Sequence, residues 1–279
     1  MIDKKVALIT GASNGMGYEA AKLFNEKGWQ VVAGARRLEK MADLKELGIE
    51  TIKLDVTDEK SNKNFVDSAF KKFGRIDVLI NNAGYGEYGP LEEISQEAIH
   101  KQFDTNLLSI GSLGRLVVPI MREQKDGRII NISSIGGNIY TPLGGWYHAT
   151  KAGMHMYSDV LDMEVKEFGV RSIIVQPGGT QSDWAKIALE NGEKNLPKNS
   201  PYLKTFEGMK NFFKRAEERY GNGATSADLA KVFYKAATDR RPKRRYFNSF
   251  SDHMMVATAQ HFPRLYRYIM SRVMQRISK

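Results

Sequence analysis

Short β-branched segments alternate along this chain with longer segments of helical periodicity, and this alternation limits the fold more than any other property. Such alternation is typical of βαβ units, in which helices cover both faces of a parallel sheet. Residues 78–80 are all apolar, as burial on both faces requires. The predicted strands are residues 6–10, 30–34, 50–54, 76–81, 128–133, 170–176 and 245–250, and the predicted helical segments include 18–27, 58–73, 94–122 and 150–168. We therefore predict one doubly wound α/β domain.

Two regions depart from this alternation. Residues 183–223 are rich in Lys, Asn and Pro and show a helical pattern at 209–220, directly after the sixth predicted strand. A segment at this point can form a lid over the carboxyl ends of the strands, and a surface excursion without a function is the alternative. The second region is the basic C-terminal segment. We therefore expect a catalytic domain over residues 1–250, including the lid at 183–223, and an extension over residues 251–279.

The first predicted strand leads into the sequence Thr-Gly-Ala-Ser-Asn-Gly-Met-Gly at residues 10–17. Gly11, Gly15 and Gly17 allow a tight turn and a close approach of the backbone to a pyrophosphate. The helix that follows supplies unpaired N–H groups and the positive end of its dipole. This strand–turn–helix order predicts a dinucleotide-binding loop, in which Ser13 and Asn14 can add hydrogen bonds.

The residues after the second predicted strand indicate which dinucleotide binds. A carboxylate here would accept from the 2′-hydroxyl of NAD, but this chain has Ala35 followed by Arg36 and Arg37. A guanidinium matches a phosphate, so we predict NADP(H), with Arg36 as the stronger candidate. The alternative is that both arginines are solvated. Asp55 ends the third strand and can accept from the adenine amino group.

A Tyr and a Lys are separated by four positions at Tyr147 and Lys151, which places them on one face of a helix. A nearby cation lowers the pKa of a phenol, and such a tyrosine can protonate a carbonyl oxygen. Ser134 lies 13 positions upstream, at the end of a strand, and can hold the same oxygen; Ser133 competes for this role. Asn106 lies within the long helical segment that precedes them.

These motifs resemble those of the short-chain dehydrogenase/reductase family, classical type. The resemblance runs from residue 6 to about residue 247 and also includes Asn-Asn-Ala-Gly at residues 81–84 and Pro-Gly-Gly at 177–179. Among relatives, hydroxysteroid dehydrogenase-like reductases with C-terminal extensions look nearest. The resemblance implies a Rossmann-type sheet of about seven strands and a catalytic tetrad of Asn106, Ser134, Tyr147 and Lys151.

The resemblance also implies a role for each member of the tetrad. Tyr147 is the general acid/base, Ser134 polarises the carbonyl, Lys151 holds the nicotinamide ribose and tunes Tyr147, and Asn106 supports a water-linked proton relay. Ser182 stands where the family more often has Thr. The complete set of expected cofactor contacts is Gly11, Ser13, Asn14, Gly15, Met16, Gly17, Arg36, Arg37, Asp55, Val56, Asn82, Ala83, Gly84, Tyr147, Lys151, Pro177, Gly178, Thr180 and Ser182.

The composition excludes several other classes of protein. The absence of Cys rules out disulfides, thiolate metal sites and a cysteine nucleophile. We expect no metal site, because His148 and His155 have no ligand partner nearby in sequence and are interpreted as packing or surface residues. The N-terminus has no secretory signal pattern and no stretch is long and apolar enough to span a membrane, so we expect a cytoplasmic protein.

The formal net charge of +10 is concentrated at the C-terminus. Residues 240–279 contain ten basic side chains and one acidic one, whereas the remaining 239 residues carry 32 basic and 31 acidic groups. From Phe262 onward, an apolar series recurs at helical spacing with arginines mostly opposite it: Leu265, Tyr266, Ile269, Val273 and Ile277. This pattern favours packing on the protein itself or on a second subunit; peripheral contact with an anionic membrane is the alternative, and nucleic acid is a more distant one.

The sequence thus predicts an NADP(H)-dependent oxidoreductase that transfers a hydride between nicotinamide and a ketone or secondary alcohol. Family analogy favours a homo-oligomer, a dimer or tetramer. The alternative is a catalytically silent NADP-binding regulator or scaffold, which would not need the Tyr/Lys pair. An apolar substrate (steroid-, retinoid- or acyl-lipid-like) is suggested by hydrophobic residues in and near the lid, although core packing explains them nearly as well: Tyr140, Leu143, Trp146, Trp184, Ile187, Leu189, Leu196, Tyr202, Leu203, Phe206, Met209, Phe212 and Phe213.

Overall fold

Seven parallel strands form the central sheet of the protein in a computed structural model, which describes residues 4–181, 184–220 and 223–277. The strands in chain order are β1 (Val6–Thr10), β2 (Gln30–Ala35), β3 (Glu50–Lys53), β4 (Val78–Asn81), β5 (Gly127–Ile132), β6 (Val170–Gln176), β7 (Thr180–Gln181), β8 (Ala224–Thr225) and β9 (Arg245–Phe247). The α-helices are α1 (Gly15–Glu26), α2 (Ala42–Glu46), α3 (Glu59–Phe73), α4 (Gln96–Phe103), α5 (Ser109–Gln124), α6 (Gly145–Val165), α7 (Trp184–Lys194), α8 (Leu203–Tyr220), α9 (Ser226–Thr238), α10 (Phe250–His261) and α11 (Pro263–Ile277).

The order of the strands in the sheet is β3-β2-β1-β4-β5-β6-β9, and every pair of neighbours is parallel. β1 lies between β2 and β4, with Ile9 opposite Ala33 on one side and Ile80 on the other. The chain reverses its direction of winding at β1, because β2 and β3 extend to one side and β4 onward to the other. In sheets of this kind, ligands bind beyond the carboxyl ends of the strands at that reversal. The doubly wound Rossmann-type fold predicted from the sequence is confirmed.

The core consists of two hydrophobic layers, one on each face of the sheet. Phe24 of α1 and Phe233 of α9 are fully buried on one face. Phe65 of α3 and Val117 of α5 are fully buried on the other. These layers fix the strands from both sides, so the loops at the carboxyl edge rest on a rigid base.

Each predicted element overlaps an observed one, although the helix predicted for 150–168 begins at Gly145 and the strand predicted for 76–81 begins at Val78. Two further differences have a clear physical cause. The single helical segment predicted for residues 94–122 is interrupted by a π-helical turn at Asp104–Leu108, which separates α4 from α5. The strand predicted for 245–250 ends at Phe247, because the side chain of Ser249 accepts from the N–H of Asp252 and caps α10.

The segment predicted as a lid contains α7 and α8, and its two ends are joined where β7 pairs with β8. Trp184 and Leu189 of α7 pack with Phe206 and Met209 of α8 in a separate hydrophobic cluster that includes Tyr147. The lid segment therefore contacts the predicted catalytic tyrosine directly.

The C-terminal extension packs on the protein through a narrow stripe of α11. Tyr266 is buried, and Met270 and Val273 are partly buried, whereas Leu265 and Ile269 are exposed. The single apolar face expected from the sequence is thus divided, because only part of it faces the body of the protein. No helix within the described residues is long and apolar enough to cross a membrane.

Candidate active site

The loop between β1 and α1 passes close to the loop after β4. Gly11 has a φ of +68°, and a Cβ placed on it would lie 2.9 Å from the Cα of Ala83. A Cβ on Gly17 would lie 2.5 Å from Nδ2 of Asn82, which donates to the carbonyl oxygens of Thr10 and Gly11. Only glycine fits at these two positions, and the first turn of α1 is consequently held against the end of β4.

A cleft of about 230 Å³ lies at this edge of the sheet. Its wall contains twelve of the residues predicted to contact the cofactor: Gly11, Ser13, Asn14, Gly15, Met16, Arg36, Arg37, Asp55, Val56, Asn82, Ala83 and Gly84. The buried Oδ1 of Asn82 and the hydroxyl of Tyr85 have no hydrogen-bond partner among the described residues, and both residues line the cleft. A glycine-bounded helix start with polar groups directed to it fits a dinucleotide.

The two arginines after β2 and Asp55 all line the cleft. Arg37 donates to Oγ of Ser13 at 3.4 Å. Partial burial acts to raise the pKa of Asp55, but hydrogen bonds from Thr57 and the charge of Arg36 hold this pKa below its usual value. The carboxylate therefore stays ionised near neutral pH, as an acceptor for an amino group must.

Ser134 and Ser133 point to different partners. The hydroxyl of Ser134 donates to the carbonyl of Pro177 at 3.4 Å and accepts from the N–H of Gly136 at 3.0 Å, and it lies near enough to the phenol of Tyr147 to lower its pKa. Oγ of Ser133 lies 2.8 Å from Nε2 of His155 and is buried beneath the site. Between the two serines, the geometry favours Ser134 as the partner of Tyr147.

Lys151 and Asn106 both lie next to Gly84. A Cβ on Gly84 would lie 3.1 Å from Oδ1 of Asn106 and 3.7 Å from Nζ of Lys151. Nζ of Lys151 donates to the carbonyl of Ile132 at 2.8 Å, and burial lowers the pKa of this lysine to about 8. Asn106 lies in the π-helical turn, where its amide bonds both backbone groups of Tyr85. These bonds fix the chain directly after the Asn-Asn-Ala-Gly motif.

The expectation that Lys151 lowers the pKa of Tyr147 is wrong for this arrangement. Burial raises the pKa of Tyr147 above its usual value, and the hydrogen bond from Ser134 opposes this only in part. Nζ of Lys151 lies 5.9 Å from the centre of the tyrosine ring. The ring is covered by Trp184 of the lid, 5.0 Å away between ring centres, and by Tyr88 at 6.0 Å. Tyr147 therefore holds its proton at neutral pH.

The remaining predicted contacts lie near the tetrad rather than in the cleft. The carbonyl of Pro177 accepts from the N–H of Ile135, next to Ser134. The N–H of Gly178 donates to Asn248, and Thr180 lies in β7. Ser182 lies outside the residues that the structure describes.

Several residues at the site were not predicted from the sequence. Tyr85 and Thr105 also line the cleft, as do Trp184 and Ile187, which the sequence assigned to the lid. Thr150 accepts from Nδ2 of Asn106 at 3.2 Å, and its position inside the Tyr-x-x-x-Lys motif was the only available signal. Tyr85 follows the Asn-Asn-Ala-Gly motif and Thr105 lies in the π-helical turn, and a local sequence pattern does not show that these two segments approach each other.

The two histidines on α6 have structural contacts. His148 lies 2.8 Å from the carbonyl of Gly136 and 3.1 Å from the N–H of Thr141, and so holds together the loop after Ser134. Burial and the charge of Arg245 lower the pKa of His155 to about 4. Within the described part of the chain, no group of three or more His, Asp or Glu side chains is arranged to hold a metal.

A doubly wound sheet, a dinucleotide cleft and a Ser/Tyr/Lys cluster together define a nicotinamide-dependent oxidoreductase. Residues 5–193 match the family model described as short chain dehydrogenase, and the chain belongs to the short-chain dehydrogenase/reductase family. The hydroxysteroid dehydrogenase-like subtype stays a prediction.

Two curated relatives illustrate the range of the family. The chain is 30% identical over 258 residues to a probable short-chain type dehydrogenase/reductase VdlC of Helicobacter pylori, covering 92% of this chain and 93% of the relative. It is 38% identical over 175 residues to a 3-ketodihydrosphingosine reductase of Bacteroides thetaiotaomicron, covering 62% of this chain and 63% of the relative.

Solved structures share the fold over nearly the whole chain. A short-chain dehydrogenase from Streptomyces avermitilis is 26% identical with a TM-score of 0.81, covering 98% of each chain. A serine dehydrogenase complexed with NADP+ is 26% identical (TM-score 0.74; 87% of this chain, 93% of that chain). A reductase from Burkholderia phymatum in complex with NAD is 23% identical (TM-score 0.79; 94% and 95%). Both nicotinamide dinucleotides thus occur on this fold.

Proposed function

We propose that the protein is an NADP(H)-dependent reductase or dehydrogenase that acts on a ketone or secondary alcohol. The observation that carries this proposal is the placement of Ser134 beside Tyr147, near a cleft that fits a dinucleotide. Two neighbouring hydroxyls can bind one carbonyl oxygen between them. The bound nicotinamide supplies or accepts the hydride at the carbonyl carbon.

Tyr147 donates the proton in the direction of reduction. Because burial raises its pKa, the phenol is protonated at neutral pH and is ready to act as a general acid. Ser134 holds the carbonyl oxygen next to the phenol. Lys151 lies beside Gly84 and can hold a ribose hydroxyl through its ammonium group. Asn106 positions the backbone of Tyr85 and supports the proton relay.

Arg36 and Arg37 support NADP(H) rather than NAD(H). Both are exposed at the rim of the cleft, where β2 ends, and no carboxylate takes the place of Ala35. Their guanidinium groups can neutralise a 2′-phosphate.

The side chains of the lid support the proposal that the substrate is apolar. The surface over Tyr147 is formed by aromatic and aliphatic side chains, namely those of Tyr88, Leu143, Trp184, Phe206 and Met209. A relative named 3-ketodihydrosphingosine reductase suggests an acyl-lipid-like ketone as the first substrate to test.

Replacing Tyr147 by Phe tests the proposed function. We expect the rate of NADPH oxidation with a ketone to fall at least about 100-fold, because the general acid is lost. Tyr88→Phe is the matched control, since it removes a hydroxyl from the neighbouring ring, and it should retain most of the activity. Cofactor binding, followed by quenching of tryptophan fluorescence, should be unchanged in both variants. Turnover of Tyr147→Phe at the wild-type rate would exclude Tyr147 as the general acid, whereas cofactor binding by the wild type without turnover of any ketone would favour the binding regulator.

Three further parts of the proposal rest mainly on the sequence. We place the enzyme in the cytoplasm, assign residues 1–250 to the catalytic domain and 251–279 to an extension, and expect a homo-oligomer. The packing of Tyr266 on Tyr140 shows that the extension contacts the catalytic domain.

A further inference from the structure

Large apolar side chains are exposed in unusual number after β9. Phe250 is 78% exposed and Phe262 63%, and Tyr268, Leu265 and Ile269 are each about half exposed. Single exposed apolar residues are ordinary on a protein surface, but a cluster of them marks a site that binds another protein or a membrane.

On α11 the exposed residues form one stripe beside the buried one. Leu265 and Ile269 are four positions apart, and Tyr268 is three positions from Leu265, so all three project from neighbouring turns of one side. The buried stripe of Tyr266, Met270 and Val273 lies next to them. The helix thus remains apolar on an outer flank after it has packed on the protein.

The charged side chains of α11 itself are all basic. Arg264 and Arg267 are exposed and form no ion pair with any described residue, and Arg272 lies over the ring of Tyr268, 5.4 Å from its centre. The only acidic residue after β9 is Asp252, which is buried and bonded to Ser249. The exposed surface of α11 is therefore cationic around an apolar stripe.

The basic residues at 240–245 lie on a different part of the surface from those of α11. Arg128, at the start of β5, donates to the carbonyls of Ala236 and Asp239, so this segment lies at the amino edge of the sheet. Arg244 and Arg245 are both paired with Asp159. Tyr266 instead bonds Tyr140, which follows β5 at the carboxyl edge. The two groups of basic residues cannot act as one patch.

We propose that α11 docks on the surface of an anionic phospholipid bilayer, with Leu265, Tyr268 and Ile269 entering the interface and the arginines contacting lipid phosphates. Apolar residues flanked by arginines are suited to this boundary. A second copy of the chain is a poorer partner, because a symmetric contact would bring the arginines of both copies together without an acidic group between them.

Docking would also place the lid side of the molecule against the bilayer. α11 contacts the lid helix α8 and, through Tyr266, the loop that carries Tyr140 between Ser134 and Tyr147. An apolar ketone could then reach the site from the lipid phase; this consequence, unlike the docking itself, rests on the proposed function.

The test is flotation of the full-length protein with phosphatidylcholine vesicles, with and without phosphatidylglycerol. We expect binding only to the anionic vesicles, and weaker binding as NaCl rises from about 0.1 M to about 0.5 M. Arg264→Gln with Arg267→Gln should lower the partition coefficient about 30-fold. Leu265→Ser with Ile269→Ser should lower it about tenfold or more.

Matched controls separate this surface from net charge and from general hydrophobicity. Arg240→Gln with Arg241→Gln removes the same charge at the other edge of the sheet, and Leu47→Ser with Phe70→Ser removes exposed apolar groups elsewhere. Both control pairs should float like the wild type. Absence of flotation, equal loss in the controls, or a change of oligomeric state in the Leu265/Ile269 variant without a change in flotation would each overturn the proposal. NADPH oxidation with a water-soluble ketone, measured without vesicles, reports on the proposed function separately.

Discussion

Lys151 is buried with its charge beside the proposed reaction centre. Burial lowers its pKa to about 8 from the ordinary value of 10.5. Below about pH 8 the lysine is charged in both the folded and the unfolded chain, so the folded state carries the full desolvation penalty. Between about pH 8 and 10.5 only the unfolded chain holds the proton, and stability therefore rises with pH in this window.

We accordingly expect Lys151→Met to be more stable than the wild type at pH 7 and to lack this pH dependence. The advantage should reach roughly 3 kcal/mol at neutral pH and shrink toward pH 10.5. Urea unfolding of both proteins from pH 7 to 10.5 measures the difference. A constant gap across the range would contradict the assigned pKa. The same variant should lose reductase activity, since the ammonium group proposed to hold the ribose is gone.

The arginines after β2 give a test of cofactor choice at the level of single residues. Arg36→Ala should weaken NADPH binding about 10- to 100-fold, because a charged hydrogen bond to the 2′-phosphate is lost, and should change NADH binding little. Arg37→Ala is the control, because Arg37 is already bonded to Ser13, and a smaller effect is expected. Titration calorimetry with both dinucleotides provides the comparison, and equal losses for NADPH and NADH would exclude the phosphate contact.

At the scale of residues, the sequence predicted which residues form the candidate site better than it predicted the pKa values that their surroundings set. The spacing to Tyr147 favours Ser134 over Ser133, and the hydroxyl of Ser133 is engaged elsewhere, 2.8 Å from Nε2 of His155. The pKa of Tyr147 could not be predicted in this way. Its direction depends on burial under Trp184, which lies 37 positions further along the chain. A motif records which groups are near in sequence, whereas desolvation is set by groups that are near only in space.

At the scale of elements, periodicity identified the strands and most helices but not the break within residues 94–122. The π-helical turn is stabilised by bonds from Asn106 to Tyr85 and Thr150, which belong to other segments. A hydrophobic pattern continues through such a turn, so it gives no sign of the interruption. The division of the apolar face of α11 could not be predicted either, because a helical pattern does not show which of its apolar residues face the body of the protein.

The attachment of α11 can be tested through one hydroxyl. Tyr266 donates to the carbonyl of Tyr140 at 2.8 Å and accepts from its N–H at 3.1 Å. Tyr266→Phe keeps the ring contact but removes both bonds, and should lower the free energy of unfolding by about 1–2 kcal/mol. Differential scanning calorimetry should show a fall in Tm of about 2–8 °C. Tyr268→Phe, on the exposed stripe of the same helix, is the control and should leave Tm unchanged.

At the scale of the whole molecule, α5 and α6 form a second exposed apolar surface, away from α11. A groove of about 590 Å³ runs between them, lined by Val118, Met156 and Val160, with Arg115 and Glu164 also in its wall. Unlike the surface of α11, this one carries both signs of charge. Arg115 is paired with Glu59 of its own chain, so a twofold contact here would not bring unbalanced like charges together, and we expect this face to form the subunit contact of the expected homo-oligomer.

Met156 and Met163, both about two-thirds exposed on α6, provide the test. Met156→Glu with Met163→Glu would place four carboxylates in a symmetric contact, which should raise the dissociation constant of the oligomer at least about 100-fold. Light scattering across a concentration series measures this shift, and circular dichroism checks that the fold is retained. Leu265→Ser with Ile269→Ser should leave the oligomer intact, because α11 lies at a different surface. If the wild type is monomeric, or if the α6 variant assembles as the wild type does, the subunit contact is not on this face. Since the tetrad is contained in one chain, the monomeric variant should still oxidise NADPH.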